Sequence, residues 1–460
     1  MKRKQFLKKL GIGATGLYLA DTLSSCKKST ITPTPNPPLT VKSPSPNFPI
    51  LPQLSEVTII DGYTDKLSYN YGENMVVYIN ASLTGNFNLT LFDANLNKVD
   101  AVIEGFSPQT PGPEPYKNGY QYKSSITYKI SKNLKSGLYF WGKTIPFIVK
   151  NTEKTGEIVV VFPSNTDNAY NANGGLSSYT TPVMSPILSY QRPFHLQTWS
   201  ESFWKWAASL NFSIDYIIDS DLDDYSNFSY ANLLVIPGHS EYWTRKGRLN
   251  FDQFVDSGRN ALILSGNTMW WQVRYSDDGT KMICYKSIPD PIGNPELKTV
   301  NWFRNELNYK IEKSIGMTFD LGGYGWQDDQ GWDGFKIVDG NSPLLAGTGL
   351  KTGDILHCLT DEYDGAPVKY ISGYEHPVLD NIHNFHKIEL VGYDYGFRLV
   401  KTVGTFIVLK RTATSGTIVN TGSTDWCSKY GMGGGDSDKI KQVTLNGINL
   451  LLSNQNVFSS

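Results

Sequence analysis

A histidine, a carboxylate and a carboxamide follow two short apolar runs of this sequence. The first run, residues 233–236, leads into the segment GHSEYW, which holds His239 and Glu241. The second run, residues 261–264, leads into the segment SGN, which ends at Asn267. An imidazole and a carboxylate can move protons or share a metal ion, and a carboxamide can donate hydrogen bonds to an oxyanion. These residue types therefore predict a catalytic or metal-binding site.

The elements around these residues explain why they should meet. Residues 245–257 have helical spacing and are followed by Gly258, a typical helix end. Strand, loop, helix and strand form the unit of a parallel sheet, in which ligands bind where the strands end. His239 and Glu241 point the same way if their loop is extended. A structural His–Glu pair, and a turn role for Asn267, are the alternatives.

Two further oxygen-bearing residues are candidates for the same site. Tyr170 follows the continuous apolar strand predicted at residues 158–162. Such a tyrosine is usually packed, but beside Glu241 its phenolate suits a hard ferric ion. Glu362 lies in the segment DEYDG, which is either a solvated turn or a further carboxylate over the site.

Composition and motifs exclude several classes of function. The chain of 460 residues carries 42 basic and 43 acidic residues, so no nucleic-acid partner is implied. It has no phosphate loop, dinucleotide fingerprint or H-E-x-x-H motif. Thiol catalysis is disfavoured because no cysteine stands at the SGN turn. A serine hydrolase using Ser240 or Ser265 stays an alternative, although the sequence has no G-x-S-x-G elbow.

The N-terminus predicts an exported lipoprotein. Residues 1–25 read as a lipoprotein signal peptide, because a basic start and a short apolar run precede LSSC, which resembles a bacterial lipobox. Cys26 is then the predicted lipid anchor, on the periplasmic or cell-surface face of a bacterial membrane. Lys4 stands where a twin-arginine signal has its second arginine, so the export route stays open. Residues 26–54, rich in Pro, Ser and Thr, read as a tether.

The rest of the chain divides into two predicted domains. Residues 55–153 contain regular short strands, which predict an immunoglobulin-like β-sandwich. Residues 154–460 alternate strands with helices, which predicts a doubly wound α/β domain. That alternation lapses at about 317–411, where we expect a β insertion at the ligand edge of the sheet.

Several of these segments together resemble the large (beta) subunit of N,N-dimethylformamidase and its relatives. The matching segments are AYN with GG within 169–175, RP at 192–193, GHSEYW at 238–243, SGN with WW within 265–271, LLAGTGL at 344–350, EYDG at 362–365 and GSTDW at 422–426. Their order and rough spacing cover most of residues 155–460. The resemblance implies a glutamine-amidotransferase-like α/β fold without the amidotransferase cysteine.

The resemblance also implies a site: one iron ion (Fe3+) held by two tyrosines and a glutamate. Glu241 matches the glutamate and Tyr170 the first tyrosine, while His239, Asn267 and Glu362 match residues near the iron. The family tends to have a tyrosine just after Arg-Pro, but this chain has Phe194 there. Tyr190 and Tyr179 are the nearby substitutes, and Tyr190 is our predicted second ligand.

These observations predict a lipid-anchored, metal-dependent hydrolase acting on the C–N bond of a small amide. The alternative is a non-catalytic lipoprotein that binds a glycan or peptide through aromatic loops. Those loops carry Trp270, Trp271, Tyr324, Trp326 and Trp332. The sequence leaves a homo-oligomer open and does not identify a small partner subunit.

Overall fold

A computed structural model describes residues 54–327 and 331–459. The predicted signal peptide, its lipid anchor and the tether up to residue 53 lie outside these residues. Within them, no helix is long and apolar enough to cross a membrane. Residues 55–460 form one unit.

The described chain combines mixed sheets with few helices. The predicted combination of sheets and helices is confirmed in this broad sense. The strands before residue 155 are β1 (Ile59–Thr64), β2 (Ser68–Asn70), β3 (Asn74–Ala81), β4 (Gly85–Asp93), β5 (Lys98–Phe106), β6 (Ile126–Lys129), β7 (Gly137–Trp141) and β8 (Ile145–Lys150). They form a three-stranded sheet, β1-β3-β6, and a five-stranded sheet, β2-β8-β7-β4-β5. Met75, Leu91 and Trp141 belong to the core of this region.

The remaining strands build the sheets that carry the candidate site. They are β9 (Ile158–Phe162), β10 (Ile187–Ser189), β11 (Ile214–Ile218), β12 (Leu233–Gly238), β13 (Tyr242–Thr244), β14 (Asn260–Ser265), β15 (Trp271–Tyr275), β16 (Lys281–Ile283), β17 (Gly323–Tyr324), β18 (Gly334–Ile337), β19 (Ile355–His357), β20 (Glu362–Gly365), β21 (Val368–Lys369), β22 (Val378–Leu379), β23 (Lys387–Arg398), β24 (Val400–Lys410) and β25 (Thr417–Asn420). The helices of the described chain are α1 (Pro115–Asn118), α2 (Ser164–Tyr170), α3 (Glu201–Ala207), α4 (Arg245–Asp256), α5 (Ile311–Ile315), α6 (Phe319–Gly322) and α7 (Ser437–Leu452).

The largest sheet has eleven strands and a mixed order, β11-β9-β12-β14-β25-β24-β23-β17-β20, with β18 beside β23 and β19 beside β18. Its first five strands are parallel, and β24, β23 and β17 are antiparallel to their neighbours. Every residue of β9 is buried, as expected when both faces of a parallel sheet are covered. Val160 and Phe162 join one core, while Val159 and Val161 join the core on the opposite face.

Helix α4 lies where the helical spacing predicts one. Thr244 caps its first turn, because its Oγ1 accepts a hydrogen bond of 2.9 Å from the Gly247 amide. Between α6 and the end of β24, most of the regular elements of the described chain are strands, including the long β23–β24 hairpin. This region brings β20, and with it Glu362, to the edge of the main sheet.

Candidate active site

Two parallel neighbouring strands bring the predicted residues to one edge of the sheet. β12 and β14 pair in register, with Gly238 opposite Ser265. Gly238 has φ +78°, and a Cβ there would lie 2.9 Å from the Ser200 Cβ, so only glycine fits this turn. After β14, Asn267 adopts the left-handed conformation with φ 48°. His239, Glu241 and Asn267 therefore converge where the strands end, as predicted.

His239 lies at the centre of this cluster and is buried. Its Nδ1 is 3.0 Å from the Gly266 carbonyl oxygen, which makes Nδ1 the hydrogen-bond donor and turns Nε2 inward. Nε2 lies 3.4 Å from Glu241 Oε2 and 3.7 Å from Glu362 Oε2. The same nitrogen is 3.4 Å from the Tyr170 hydroxyl. One imidazole nitrogen thus faces two carboxylates and a phenol.

Glu241 is buried and bound to a second tyrosine, Tyr179. The Tyr179 hydroxyl lies 2.9 Å from both carboxylate oxygens of Glu241, and it accepts a 2.7 Å bond from the Tyr242 hydroxyl. The rings of Tyr179 and Tyr170 are stacked, with centroids 4.1 Å apart. The amide of Glu241 also donates to Thr166 Oγ1 of α2, at 2.9 Å. Two phenols and one carboxylate therefore meet beside His239.

Asn267 links the two carboxylates. Its Nδ2 donates to Glu362 Oε2 at 2.9 Å and lies 3.4 Å from Glu241 Oε1. Its buried Oδ1 has no hydrogen-bond partner among the residues that the structure describes. A buried unpaired carbonyl oxygen carries a desolvation penalty, so it marks a position where a ligand or water can bond.

The electrostatics of the cluster follow from its burial. Burial by itself lowers the pKa of His239, but the hydrogen bond and charge of Glu241 outweigh it and raise that pKa to about 9. Burial raises the pKa of Glu362, and the charge of Glu241 adds to the shift. Burial and then the charge of Glu241 also raise the pKa values of Tyr170 and Tyr179. The cluster thus contains several acidic groups, and these groups can lose their protons together only when a cation is nearby.

Lys286 supplies one such cation, and no motif in the sequence predicts it. Its Nζ lies 3.4 Å from the ring centroid of Tyr179 and donates to the Ser178 carbonyl oxygen at 3.2 Å. Together with the hydrogen bond from His239, its charge lowers the pKa of Glu241 against the opposing effect of burial. An isolated lysine after a short strand has no spacing that predicts this position.

The prediction of Tyr190 as a metal ligand disagrees with its position. Its hydroxyl donates to Asn165 Oδ1, and its ring lies near that of Tyr275. Asn165 is at the start of α2 and Tyr170 is at its end. Most of this seven-residue helix therefore separates Asn165, the partner of Tyr190, from Tyr170. Tyr179, the other substitute, is the tyrosine beside Glu241.

Phe194 lies in an apolar core rather than in the cluster. It is buried, and its ring centroid is 6.2 Å from that of Phe162 on β9. We expect Phe194→Tyr to leave iron binding unchanged and to lower the free energy of unfolding by about 1–3 kcal/mol, because a hydroxyl is buried without a partner. Urea denaturation and iron analysis of the variant test this. A gain of iron in the variant would contradict the expectation.

The two serines of the serine-hydrolase alternative are buried and bonded elsewhere. Ser265 Oγ accepts from the Ser240 amide at 3.0 Å, and Ser240 Oγ accepts from Trp243 Nε1 at 3.0 Å. Within the described ranges, neither hydroxyl bonds to His239.

The aromatic loops are also packed to a large extent: Trp270 is buried, and Trp332 packs against Tyr393 and Tyr395.

A separate buried carboxyl, Asp219, follows β11 at the same edge of the sheet. Burial raises its pKa to about 8, although hydrogen bonds from Asn165 and Ser164 oppose the shift. The folded chain therefore retains a proton that the unfolded chain loses near pH 4, so this group makes stability fall between about pH 4 and pH 8. We expect Asp219→Asn to flatten that fall and to be more stable than the native chain at pH 8. Thermal melts across this range test it, and an equal slope in both proteins would contradict it.

These features define a sheet-rich protein with a cluster of tyrosines, carboxylates and a histidine where parallel strands end, in which His239 and Glu241 are buried and Tyr179 is 40% exposed. A sequence model of the family described as N,N-dimethylformamidase beta subunit-like, C-terminal, matches residues 104–437. The chain belongs to this family, as the segments compared above predict.

Other comparisons add little. A search among curated proteins finds no match to this chain. Among solved structures, the chain is similar to a ThuA-like protein from Bacteroides uniformis, with 11% identity, a TM-score of 0.32, and coverage of 65% of this chain and 92% of that one. It is also similar to a cycloisomaltooligosaccharide glucanotransferase from Paenibacillus sp., with 8% identity, a TM-score of 0.17, and coverage of 46% of this chain and 45% of that one.

Proposed function

We propose that this protein hydrolyses the C–N bond of a small amide, with a ferric ion held by Tyr170, Tyr179 and Glu241. The observation that carries the proposal is the meeting of two phenols and a carboxylate, with the Tyr179 hydroxyl 2.9 Å from both oxygens of Glu241. Membership of the dimethylformamidase-like family supports the hydrolase class.

The donor set fits such an ion. Oxygen donors suit hard, highly charged cations, and all three side chains offer oxygen. In the described ranges, no group of three or more His, Cys, Asp or Glu side chains could hold a metal, so the fit depends on the two phenols. The raised pKa values of Tyr170 and Tyr179 mean that a bound cation is needed to ionise them near neutral pH. When bound, ferric iron polarises the amide carbonyl and lowers the pKa of water.

The surrounding side chains have roles in proton transfer and orientation. His239 can hold or move a proton at Nε2, because Nδ1 is fixed by the Gly266 carbonyl oxygen. Asn267 Nδ2 donates to Glu362 at 2.9 Å and to Glu241 at 3.4 Å, and the longer of these two bonds can give way to the oxyanion that develops on the substrate. Glu362, with its raised pKa, can hold a proton beside the leaving nitrogen.

The finer architecture and the location of the protein belong to the same proposal. The five parallel strands with a core on each face support an amidotransferase-like, doubly wound domain with a β insertion. The two smaller sheets before residue 155 support an immunoglobulin-like sandwich. The lipobox-like LSSC segment supports lipid anchoring at Cys26 and export.

Amine release tests the function directly. The protein loaded with ferric iron is incubated with formamide, N-methylformamide, N,N-dimethylformamide and acetamide, and free ammonia or amine is measured. We expect release from at least one substrate, none above background with His239→Ala, and unchanged release with Tyr190→Phe, whose hydroxyl lies outside the cluster. Iron-loaded protein that releases no amine from any of them contradicts the proposal.

A further inference from the structure

A long groove lies away from the candidate active site, between the strands before residue 155 and the segment from α3 to β11. Its volume is about 1010 Å³, and none of the cluster residues lines it. This volume is at the upper end of the roughly 300–1,000 Å³ usual for ligand sites, so it suits a chain of several units better than a single small molecule.

The groove combines aromatic rings with free polar groups. Phe212 and Tyr216 lie on one side of it, and Asn95, Asn133 and Lys135 on the other. Phe212 is half-buried, and it makes no ring contact with another aromatic residue in the described chain. Ring faces of this kind pack against apolar surfaces, and side-chain carboxamides both donate and accept hydrogen bonds.

Tyr216 lines the groove with a phenol that can bond a ligand. Tyr216 is only 7% exposed, and its ring packs near Trp204, with centroids 6.2 Å apart. Its amide donates to Ser136 Oγ, but its hydroxyl has no hydrogen-bond partner among the described residues. Asn95 and Asn133 are exposed, so their side-chain amides are accessible from the groove. A phenol whose ring is packed and whose hydroxyl is open to a groove can bond a ligand hydroxyl in place of water.

The charges of the lining limit the ligand. Three carboxylates, Asp93, Asp100 and Asp215, line the groove with one lysine, Lys135. This acidic balance disfavours an anionic polymer, because like charges repel across an interface. Carbohydrate rings have apolar faces and hydroxyl rims, which match aromatic faces flanked by carboxamides and a phenol. We infer that this groove binds a neutral oligosaccharide, independently of the proposed amide hydrolysis.

Titration calorimetry on the whole protein tests the inference. The probes are cellohexaose, xylohexaose, mannohexaose and maltohexaose, with a polygalacturonate oligomer and a lysine-rich peptide for comparison. We expect one or more neutral hexaoses to bind and the polygalacturonate not to bind. Tyr216→Phe should weaken binding roughly 2- to 10-fold, the usual range for one neutral hydrogen bond.

Two further variants place the ligand in this groove. Phe212→Ala and the surface change Asn133→Ala should each weaken hexaose binding, while Tyr285→Phe, a phenol outside the groove, should not. Thermal melts check that each variant is folded. Failure of all four hexaoses to bind, binding that none of the groove variants weakens, or binding of the peptide alone would overturn the inference. A protein that fails to hydrolyse amides but still binds a hexaose would support the inference about the groove.

Discussion

The Glu241→Gln variant is expected to lose its bound iron and all measurable amide hydrolysis. Gln keeps the shape of the side chain but removes the negative charge that the Tyr179 hydroxyl and the His239 imidazole contact. A neutral carboxamide is a poor ligand for a hard cation, and its N–H groups would face donors rather than acceptors. Iron analysis after equilibration with ferric iron should give near-stoichiometric metal for the native chain and background for the variant.

Two tyrosine variants separate metal binding from a general effect on folding. Tyr179→Phe should lower the iron content and remove much of the visible phenolate-to-iron band, because its hydroxyl lies on Glu241. Tyr190→Phe is the matched control, since that buried hydroxyl bonds Asn165 instead. If both variants bind iron as the native chain does, the assignment of Tyr179 as a ligand is wrong.

The Arg192→Met variant is expected to lose about 3–5 kcal/mol of unfolding free energy, because several buried oxygens lose their donor at about 1–3 kcal/mol each. Arg192 is fully buried, and burial lowers its pKa to about 10, so it is still charged at neutral pH. Its guanidinium donates to five oxygens: Ser189 O at 2.9 Å, Asn173 O at 2.6 Å, Leu176 O at 3.3 Å, Asn168 O at 3.0 Å and Asn168 Oδ1 at 2.9 Å. Methionine fills the space but leaves these acceptors without a donor.

The position of Arg192 also makes it important for the site. It ties β10 to the end of α2, which carries Tyr170, and to the loop that leads to Tyr179. Urea denaturation measures the loss of stability, and Arg259→Met is the control because, among the described residues, the guanidinium of half-buried Arg259 bonds only Ser257. A loss of less than about 1 kcal/mol, as for an exposed charge, would contradict this role.

The sequence predicted the part of the site that depends on local rules. His239, Glu241 and Asn267 follow two apolar runs, and parallel neighbours must end at the same edge of a sheet. The sequence does not decide whether Glu362 lies in a solvated turn or at the site, because the register of β20 against β17 depends on contacts between residues far apart in the sequence. The structure brings its carboxylate to Asn267.

The second tyrosine could not be chosen from the sequence. Tyr179 and Tyr190 lie eleven positions apart on a segment with little regular structure. Which of them reaches Glu241 depends on the path of that segment, and Arg192 fixes this path by bonding backbone oxygens from three places in the chain. Lys286 was missed for a similar reason, since its contact with Tyr179 joins residues more than a hundred positions apart.

Elemental analysis with a visible spectrum of residues 55–460 tests whether Tyr170, Tyr179 and Glu241 hold ferric iron. The fragment is supplied with iron and separated from free metal before measurement. We predict near-stoichiometric iron with a broad phenolate-to-iron charge-transfer band, which Tyr179→Phe weakens and Tyr190→Phe leaves unchanged. A folded protein that stays colourless and free of metal would contradict the claim.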